Sequence, residues 1–382
     1  MKVKNNKKNI AVIFGGINCE HDISIITAMQ TIANLDKEKY NVYPIYINKN
    51  GEWFAVASDV QFDSFVNSSK KKYHKVMLNA DSCIYVLRGK KYVPSVRIDC
   101  AVVCMHGMNG EDGSVMGLLN MCKIPYACSD ILPSAIGCDK SIFKYICVGL
   151  CIPIIDFVVV RDRMVKENRE SVNYATVSKK LGGKLIVKPS RLGSSIGIRV
   201  VNNETEYNSA IDYALTFDSV VIVERYIEDM IEINVAILRD QNDNIIVSNL
   251  EEPVTMGDIL SFDEKYLNNG KEGFAGISKI VNPKIKKVVA RKIIKYAQTL
   301  YENLDMYGIV RFDFIVSNDI IYINEVNTIP GSMAYYLIDS MPFSEQLDVQ
   351  IDAGINRYQN AIKKRVTFDT NVLSQTCIEC KK

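Results

Sequence analysis

The sequence predicts an α/β fold in the N-terminal third of the chain and an α+β fold in the remainder. At the start, strand-like and helix-like segments alternate: "NIAVIFGG" precedes "SIITAMQTIANL", and "DCAVVCMHG" precedes "GSVMGLLNMC". Alternation with fully apolar strands is typical of a parallel sheet covered by helices. After "CDKSIFKYICVGLCIP" the strands become shorter and form hairpin-like pairs, such as "VVIVERYI" with "EINVAIL". This second pattern indicates helices packed on antiparallel sheet.

Length and charge limit the class of protein. A chain of 382 residues is long enough for two or three units, each with its own core. The 46 Lys and Arg residues nearly balance the 44 Asp and Glu residues, which leaves a formal charge of +2. Without a basic stripe, the sequence predicts no nucleic-acid or membrane-surface partner. A small polar ligand is the expected partner.

Cysteine usage predicts a reducing compartment. The eleven cysteines are an odd number scattered among apolar neighbours, and the N-terminus lacks the apolar core and cleavage site of a signal peptide. No apolar run approaches the roughly 20 residues that span a bilayer. We therefore expect a soluble, cytoplasmic protein. "CIEC" at Cys377–Cys380 has no second pair or histidine cluster nearby, so it does not predict a zinc site.

A hairpin near the C-terminus carries four polar residues on one predicted face. Arg311 and Asp313 are two positions apart in "RFDF", and Glu325 and Asn327 are two apart in "NEVN". Because strand side chains alternate between faces, each pair points to one side. A turn centred near Asp319 would place the two acids opposite each other and the arginine opposite the asparagine.

These side chains form an all-oxygen ligand set beside a cation. Two carboxylates and an amide oxygen are hard ligands, the type that magnesium takes while waters and substrate phosphates fill its other positions. The arginine could neutralise a developing oxyanion. For this hairpin taken alone, a solvated sheet face is an equally weighted alternative, since exposed antiparallel faces are commonly polar.

The segment "LIVKPSRLGSSIGIRVV", residues 185–201, places a lysine and a glycine- and serine-rich turn between two β-branched runs. Lys188 precedes the glycines, whereas a Walker A loop has its lysine after them. We predict a β-hairpin flap in which backbone N–H groups and the hydroxyls of Ser194 and Ser195 lie over phosphates while Lys188 supplies a point charge. Taken alone, such a turn is weak evidence, since most are only turns.

Other candidate residues carry weaker signals. Lys140 opens a helix, where a surface lysine is the ordinary alternative. Glu224 and Glu232 could accept hydrogen bonds from an adenine amine and ribose hydroxyls, although acids at sheet ends are usually only hydrated. His21 and His106 are two of three histidines, and a single histidine in a βα turn is more often structural than catalytic.

Taken in order, several motifs resemble those of the D-alanine–D-alanine ligases of the ATP-grasp superfamily. They are "VIFGGINCEHDIS", "MHGMNGEDGSVMGLL", "CDK", "VKPSRLGSSIGI", "DEKYL", "RFDF" and "NEVNTIPGS", and the similarity extends over roughly residues 9–362. The resemblance implies a Rossmann-like pre-ATP-grasp domain followed by a two-subdomain ATP-grasp fold. The predicted units are an N-terminal α/β substrate domain (1–128), a central subdomain with the flap (129–223), a C-terminal subdomain with the metal site and substrate loop (224–363) and a short tail (364–382).

The resemblance also implies a reaction and its cofactors. ATP converts a D-alanine carboxylate to an acyl phosphate, and the amine of a second D-alanine displaces phosphate to give D-alanyl-D-alanine for peptidoglycan synthesis in the cell wall. ATP is the implied co-substrate, with two Mg²⁺ or Mn²⁺ ions. By position, the implied ATP-binding residues are Lys140, Lys188, Ser194, Ser195, Glu224 and Glu232, and the implied metal ligands are Asp313, Glu325 and Asn327.

The sequence contains residues that match those which bind the first D-alanine in the family. Glu20 matches the acid that receives the ammonium group of the first D-alanine, with His106 in its supporting network. Arg311 and the backbone N–H of Gly331 resemble the oxyanion hole. Ser194 and the loop tyrosine of "DEKYL" match the family's hydrogen-bond network around Glu20.

The acceptor side agrees with the family only in part. Tyr266 in "DEKYL" favours an amino-acid acceptor over D-lactate, and Lys265 beside it could meet the acceptor carboxylate. In "PGSMAYYLIDS", however, Tyr336 stands where the family commonly has a serine near the product carboxylate, followed by Leu337. Ser332 or the Tyr336 hydroxyl could replace that contact. The acceptor is therefore open between D-alanine and a different acceptor such as D-serine.

Two further classes compete with this interpretation. A non-catalytic nucleotide-binding homologue should have lost at least one essential group, yet the matched lysines, arginine and acids are all present. Another ATP-grasp enzyme, using a different amine or carboxylating biotin, would not need the Glu20-His21 turn or the Tyr266 loop. The implied partners are D-alanine and ATP, with no nucleic acid and no membrane, and the family suggests a homodimer.

Overall fold

The computed structural model describes residues 7–60, 62–66, 73–253, 279–365, 367–368 and 370. Sixteen strands and ten α-helices fall within these ranges. The strands are β1 (Lys8–Gly15), β2 (Tyr40–Ile47), β3 (Trp53–Ala55), β4 (His74–Leu78), β5 (Cys83–Arg88), β6 (Lys91–Arg97), β7 (Cys100–Val103), β8 (Phe157–Arg161), β9 (Leu185–Pro189), β10 (Arg199–Val201), β11 (Val220–Arg225), β12 (Ile231–Arg239), β13 (Ile245–Pro253), β14 (Lys279–Val281), β15 (Val310–Ser317) and β16 (Ile320–Asn327). The helices are α1 (His21–Asn34), α2 (Asp63–Val66), α3 (Ser114–Met121), α4 (Ile131–Cys138), α5 (Lys140–Gly149), α6 (Asp162–Asn168), α7 (Tyr174–Leu181), α8 (Glu204–Leu215), α9 (Lys287–Asn303) and α10 (Phe343–Ile362).

The first sheet has the order β6-β5-β4-β3-β2-β1-β7. Strand β1 pairs in parallel with both β2 and β7, which confirms the predicted parallel sheet. Residues Ile10–Phe14 of β1 are almost completely buried because this strand is covered on both faces. Strands β3 to β6 extend the sheet in antiparallel pairs, an addition that the sequence pattern did not indicate.

The second and third sheets are antiparallel, as the α+β pattern predicted. Their orders are β10-β9-β11-β8 and β14-β13-β12-β15-β16. Helix α9 covers one face of the third sheet with Val289, Ile293, Ala297 and Leu300, spaced by three or four positions along one helical face. The opposite face of this sheet turns towards the second sheet, and the polar strand residues lie there.

The hairpin β15–β16 has the predicted cross-strand pairs. Its turn residues Asn318 and Asp319 both have positive φ angles, 50° and 63°, as a type I′ hairpin turn requires. Asp313 lies opposite Glu325. The register shifts by one residue next to this pair, so the turn is centred between Asn318 and Asp319, and Asn324 forms a bulge that also reaches the cleft.

The predicted division into units differs slightly from the sheet boundaries. Strand β11 of the second sheet continues to Arg225, which pairs with Leu185, so this sheet extends two residues past the predicted limit at 223. The domain limits stay a prediction. In the part of the chain that the structure describes, no helix is both long and apolar enough to cross a bilayer.

Candidate active site

One cleft collects most of the predicted site residues from all three sheets and their loops. It also contains residues that the sequence did not single out, among them Glu111, Asn234 and Glu251. The predicted residues that line it are Glu20, His106, Lys140, Lys188, Ser194, Ser195, Glu232, Arg311, Asp313, Glu325, Asn327, Gly331 and Tyr336.

Glu20 closes one end of the cleft against the flap. It lies immediately before α1, is 6% exposed, and its Oε1 accepts a hydrogen bond from the hydroxyl of Ser194. Ser194 and Ser195 have positive φ angles of 55° and 59°, a conformation that non-glycine residues rarely adopt and that tends to occur at functional sites. The base of the flap is fixed because Arg191 donates from its backbone N–H and its guanidinium to Asp218.

Gly107 makes room for the Glu20 carboxylate. Its φ angle is +67°, and a Cβ atom at this position would lie 2.6 Å from Oε2 of Glu20. A side chain at this position would strain the backbone and would force the Glu20 carboxylate to move.

The two predicted phosphate-binding lysines both reach the cleft from beneath the flap. Lys140 opens α5, and its Nζ lies 3.2 Å from Oε2 of Glu325 and donates to the backbone carbonyl of Leu192 at 2.9 Å. Nζ of Lys188 lies 2.7 Å from Oε2 of Glu224 and donates to Oδ1 of Asn324 at 3.2 Å. Burial alone would lower the pKa of Lys140, but Glu325 outweighs it and the pKa is raised, so Lys140 is cationic.

Glu224 lies behind the cleft wall rather than on it. Its side chain is 1% exposed, and its two carboxylate oxygens face two lysines: Oε1 is 2.8 Å from Nζ of Lys144, and Oε2 faces Lys188. Burial alone would raise the pKa of Glu224, but Lys144 and Lys188 lower it to about 2. The predicted contact of Glu224 with adenine stays a prediction, and the carboxylate is already engaged. Glu232 lines the cleft.

Sequence reasoning missed Lys144. The available signal was helical spacing, because Lys140, Phe143, Lys144 and Cys147 occupy the buried face of α5. A lysine within an otherwise buried helical face needs a buried acid, and Glu224 is that acid.

A row of polar side chains crosses the third sheet at the floor of the cleft. Asn234 on β12 lies opposite both Glu251 on β13 and Asp313 on β15. Arg311 donates from Nε and Nη2 to the two oxygens of Asp313, both at 2.7 Å. Asn327 donates from Nδ2 to Oδ2 of Asp313 at 3.0 Å. The Asp313 carboxylate thus holds the Arg311 guanidinium through two hydrogen bonds, one to each oxygen.

The donor set fits a hard divalent cation. Asp313, Glu325 and Asn327 supply two carboxylates and an amide whose oxygen can turn to the same face, and all three line the cleft. Over the described ranges, no group of three or more His, Cys, Asp or Glu side chains could hold a metal, which agrees with a set containing only two acids. Phosphate oxygens and water would have to complete such a site.

His106 connects the first-substrate end to the loop after β16. Its Nε2 lies 2.8 Å from Oγ1 of Thr27, and Oγ1 of Thr27 also accepts the backbone N–H of Ser332 at 3.1 Å. Burial lowers the pKa of His106 to about 4, so the ring is neutral near pH 7. The histidine therefore supports the Gly331–Ser332 turn through neutral hydrogen bonds.

The turn after Gly331 is left-handed. Ser332, Met333 and Ala334 have φ angles of 52°, 52° and 43°, which is unusual for three consecutive non-glycine residues. This turn directs Tyr336 into the cleft, where burial and then nearby Glu251 raise the pKa of its phenol.

Several predicted acceptor-side residues do not reach the cleft or lie outside the described residues. Ser332 is 1% exposed, and its hydroxyl has no hydrogen-bond partner among the described residues. Leu337 is fully buried in the hydrophobic core that the first sheet shares with C-terminal elements. Lys265 and Tyr266, like Cys377–Cys380 of the tail, lie outside the described residues.

Glu111 is a second residue to which the sequence analysis gave no role of its own. One oxygen accepts the backbone N–H of Gly107 at 2.9 Å, and the other accepts that of Ile329 at 3.1 Å. Burial and the neighbouring Glu20 raise its pKa. The signal was available in "HGMNGEDG", where an acid within a glycine-rich turn can accept from nearby backbone N–H groups.

The sequence is similar to one family of known proteins. Residues 9–129 match the family model described as D-ala D-ala ligase N-terminus, and residues 146–344 match D-ala D-ala ligase C-terminus. The D-alanine–D-alanine ligase of Thermosipho melanesiensis is 36% identical over 379 residues, covering 96% of this chain and 98% of the relative. That of Chloroherpeton thalassium is 32% identical over 377 residues, covering 94% and 100%.

Solved structures show the same fold. The D-alanine-D-alanine ligase from Coxiella burnetii has a TM-score of 0.75 at 26% identity, covering 94% of this chain and 98% of its own. The VanG D-Ala:D-Ser ligase from Enterococcus faecalis has a TM-score of 0.74 at 27% identity, covering 91% and 99%. These similarities confirm the predicted ATP-grasp fold. Because the two family models together span most of the sequence and relatives above 30% identity cover nearly all of it, the chain belongs to the D-alanine–D-alanine ligase family.

Proposed function

We propose that this protein is an ATP-dependent ligase that joins two D-alanines into D-alanyl-D-alanine, through an acyl phosphate, for peptidoglycan precursor synthesis. The observation that carries the proposal is the cleft itself. An acid tied to the flap (Glu20 with Ser194), two lysines (Lys140 and Lys188) and the Arg311–Asp313 pair all open onto one space. Membership of the D-alanine–D-alanine ligase family supports the same reaction.

The first D-alanine would bind at the Glu20 end of the cleft. Its ammonium group pairs with the Glu20 carboxylate, whose position is fixed by Ser194 on one side and by the absence of a side chain at Gly107 on the other. His106, neutral and hydrogen-bonded to Thr27, holds the neighbouring turn rather than exchanging a proton.

The triphosphate would lie between the flap and the third sheet. Lys140 and Lys188 supply positive charge, and the backbone N–H groups of the flap cover the phosphates. Asp313, Glu325 and Asn327 would hold magnesium, which when bound neutralises charge on the phosphates and orients them.

The reaction forms one bond and breaks one bond in each of two steps. A carboxylate oxygen of the first D-alanine attacks the γ-phosphorus, and ADP leaves with the electrons of the broken P–O bond. The amine of the second D-alanine then attacks the acyl carbon, and the carbonyl oxygen gains negative charge. The C=O bond re-forms as the C–O bond to phosphate breaks, and the departing phosphate takes the electron pair of that bond and the proton that the amine loses. Arg311 and Gly331 line the cleft. The guanidinium of the first and the backbone N–H of the second would stabilise that oxyanion.

D-Serine is a second candidate acceptor because of Tyr336. The phenol lies buried in the cleft near Arg311 and Glu251, so an additional polar group faces the space where the acceptor would bind. A buried hydroxyl can favour a substrate that offers it a hydrogen-bond partner, as the side chain of D-serine does. The resemblance of the fold to a D-Ala:D-Ser ligase is compatible with either acceptor.

Phosphate release from MgATP by the purified protein tests these proposals. The protein is offered D-alanine alone and then an equal mixture of D-alanine and D-serine, and the dipeptides are identified by mass. We expect release with D-alanine alone and D-alanyl-D-alanine as product. Preferential formation of D-alanyl-D-serine from the mixture would favour the second candidate, and no release in either case would contradict both.

A Glu325→Ala variant distinguishes an enzyme from a non-catalytic homologue. If the chain only bound nucleotide, it would have no turnover for this substitution to remove. The homodimer, the cytoplasmic location and the domain limits stay predictions.

A further inference from the structure

Three charged side chains are buried together behind the phosphate end of the cleft. Lys144 on α5 is completely buried, and its Nζ lies 2.8 Å from Oε1 of Glu224. Lys188 on β9 is 7% exposed at its side chain, and its Nζ lies 2.7 Å from Oε2 of the same acid. One carboxylate is therefore shared by two ammonium groups.

This cluster carries a net charge of +1 in a place where charge is costly. A single buried ion pair would be neutral, whereas two lysines on one glutamate leave one positive charge uncompensated. Burial lowers the pKa of Lys144 while Glu224 opposes that change, and Glu224 itself is held ionised. An excess buried charge is retained only where something compensates for it, and an anionic ligand is one such compensation.

Of the three charged side chains, that of Lys188 is the one that reaches the cleft. Lys188 lines the cleft, whereas Lys144 and Glu224 do not. An ammonium group has three N–H donors. Nζ of Lys188 lies 2.7 Å from Glu224 and donates to Asn324 at 3.2 Å, and the same residue lines the cleft, where its ammonium group can meet a ligand.

We propose that Lys144 and Glu224 are positioning residues that set the charge of the phosphate site, by sharing one carboxylate so that Lys188 is held in place without being neutralised. If Lys144 were absent, Glu224 and Lys188 would form a neutral pair, and Lys188 would attract a phosphate only weakly. Glu224 supplies the fixed position, and Lys144 supplies the charge that Glu224 would otherwise cancel. This inference rests on the proposed use of ATP.

A purely structural role for Lys144 makes a different prediction. In that case Lys144 would only tie α5 to β11 through Glu224, and to the segment before β8 through a 3.4 Å hydrogen bond to the backbone carbonyl of Ile155. Substituting it would then lower stability, and removing the charge of Glu224 as well would not restore ligand binding. Ligand binding by variants with different cluster charges therefore distinguishes the two roles.

The test is MgADP binding by calorimetry to wild-type protein, Lys144→Met and the double variant Lys144→Met/Glu224→Gln. The cluster charges are +1 for the wild type, 0 for the single variant and +1 for the double variant. We expect MgADP to bind at least about tenfold more weakly to Lys144→Met and to recover to within about threefold of wild type in the double variant. Adenosine, which has no phosphate, should bind wild type and Lys144→Met alike, and its affinity for the double variant measures any direct contact of Glu224 with adenine, for which the MgADP result is then corrected.

A matched control is Lys166→Met on α6, an exposed lysine that pairs with Asp162 at 2.5 Å. It removes a lysine and an ion pair away from the site and should leave MgADP binding unchanged. Thermal unfolding checks that each variant is folded. If Lys144→Met does not fold, the double variant still decides, because it removes the buried acid together with the lysine and keeps the cluster charge at +1.

The outcomes distinguish this inference from the proposed function. A folded double variant that binds MgADP as poorly as Lys144→Met, or a folded Lys144→Met that binds it like the wild type, overturns the charge-setting role alone. A folded double variant without MgADP binding does the same. Wild-type protein that binds no MgADP overturns the proposed function and the inference together.

Discussion

The hydroxyl of Ser194 donates a hydrogen bond to Oε1 of Glu20, and this contact joins the flap to the residue that precedes α1. The two residues are 174 positions apart in sequence. The contact fixes the carboxylate that we propose receives the first ammonium group. It also couples the position of the flap to the position of this carboxylate.

Ser194→Ala should weaken use of the first D-alanine. Hydrogen bonds to charged groups contribute about 1.5–3 kcal/mol, so the KM for the first D-alanine should rise about 10- to 100-fold. The KM for ATP should change less, because Lys140 and Lys188 are untouched. Steady-state phosphate release at varied D-alanine and varied ATP gives both constants.

Ser171→Ala is the matched control for this prediction. Ser171 is an exposed serine whose hydroxyl also makes one hydrogen bond, to the backbone carbonyl of Asn168 at 2.7 Å. Its loss should leave both KM values unchanged. If Ser194→Ala raised the KM for ATP more than that for D-alanine, the flap serine would belong to the phosphate site alone.

Gly107→Ala should disturb Glu20 as well as the backbone, and Gly89 offers a matched comparison. Their φ angles are +67° and +63°, but a Cβ at Gly107 meets Glu20 at 2.6 Å, whereas a Cβ at Gly89 meets nothing within 4 Å. Both substitutions should lower the free energy of unfolding by about 1 kcal/mol through backbone strain. Only Gly107→Ala should also raise the KM for D-alanine, by about tenfold or more.

Urea unfolding and steady-state kinetics on the two variants check this difference. Equal kinetics for both variants would mean that Glu20 moves aside at no cost to substrate binding. A large loss of activity in Gly89→Ala would show that backbone strain in a distant turn lowers activity. The close approach of Gly107 to Glu20 would then not be needed to explain the effect of Gly107→Ala.

The hairpin β15–β16 shows what the sequence was able to predict. The period-two alternation and the expected turn near Asp319 predicted the facing pairs Asp313 with Glu325 and Arg311 with Asn327, and both are present. The bulge at Asn324 was not predictable from the sequence. It arises because the pairs nearest the turn are shifted by one residue relative to the Asp313–Glu325 pair, and no local sequence pattern indicates this shift.

Residues whose environment comes from other elements could not be placed from sequence. Glu224 lies on a strand, as expected, but its partner Lys144 comes from a helix 80 positions earlier, so the burial of the pair depends on tertiary packing. Tyr336 reaches the cleft through a left-handed turn at Ser332–Ala334 that contains no glycine. Non-glycine residues adopt this conformation too rarely for a sequence pattern to indicate it.

Glu325→Gln should raise the requirement for magnesium. Glu325 is one of only two acids in the proposed ligand set, and its Oε2 also lies 3.2 Å from Nζ of Lys140. Losing a carboxylate ligand should raise the Mg²⁺ concentration for half-maximal activity by about tenfold or more. Removing the cation with a chelator should abolish phosphate release in wild type and variant alike, and adding it back should restore release.

The control for this substitution is Glu302→Gln, at an exposed acid near the end of α9. Magnesium titrations of both variants at saturating ATP separate the metal requirement from nucleotide binding. An unchanged magnesium requirement in Glu325→Gln, together with lower activity, would assign Glu325 to holding Lys140 rather than to the metal.

His106 should make the protein less stable as the pH falls from about 6.5 to 4. Burial lowers the pKa of this histidine from 6.5 to about 4, so in this range the unfolded chain binds a proton that the folded protein does not. Stability then rises with pH, and the full difference between the two pKa values corresponds to about 3 kcal/mol.

The variant His106→Asn tests this prediction because it removes the titrating group. Its unfolding free energy, measured by urea denaturation at a series of pH values, should therefore fall about 3 kcal/mol less than that of the wild type between pH 7 and pH 4. His74→Asn, at an exposed histidine, should follow the wild-type curve. Parallel curves for His106→Asn and wild type would mean that His106 takes up a proton in the folded protein, and its hydrogen bond to Thr27 would then have to survive a charged ring.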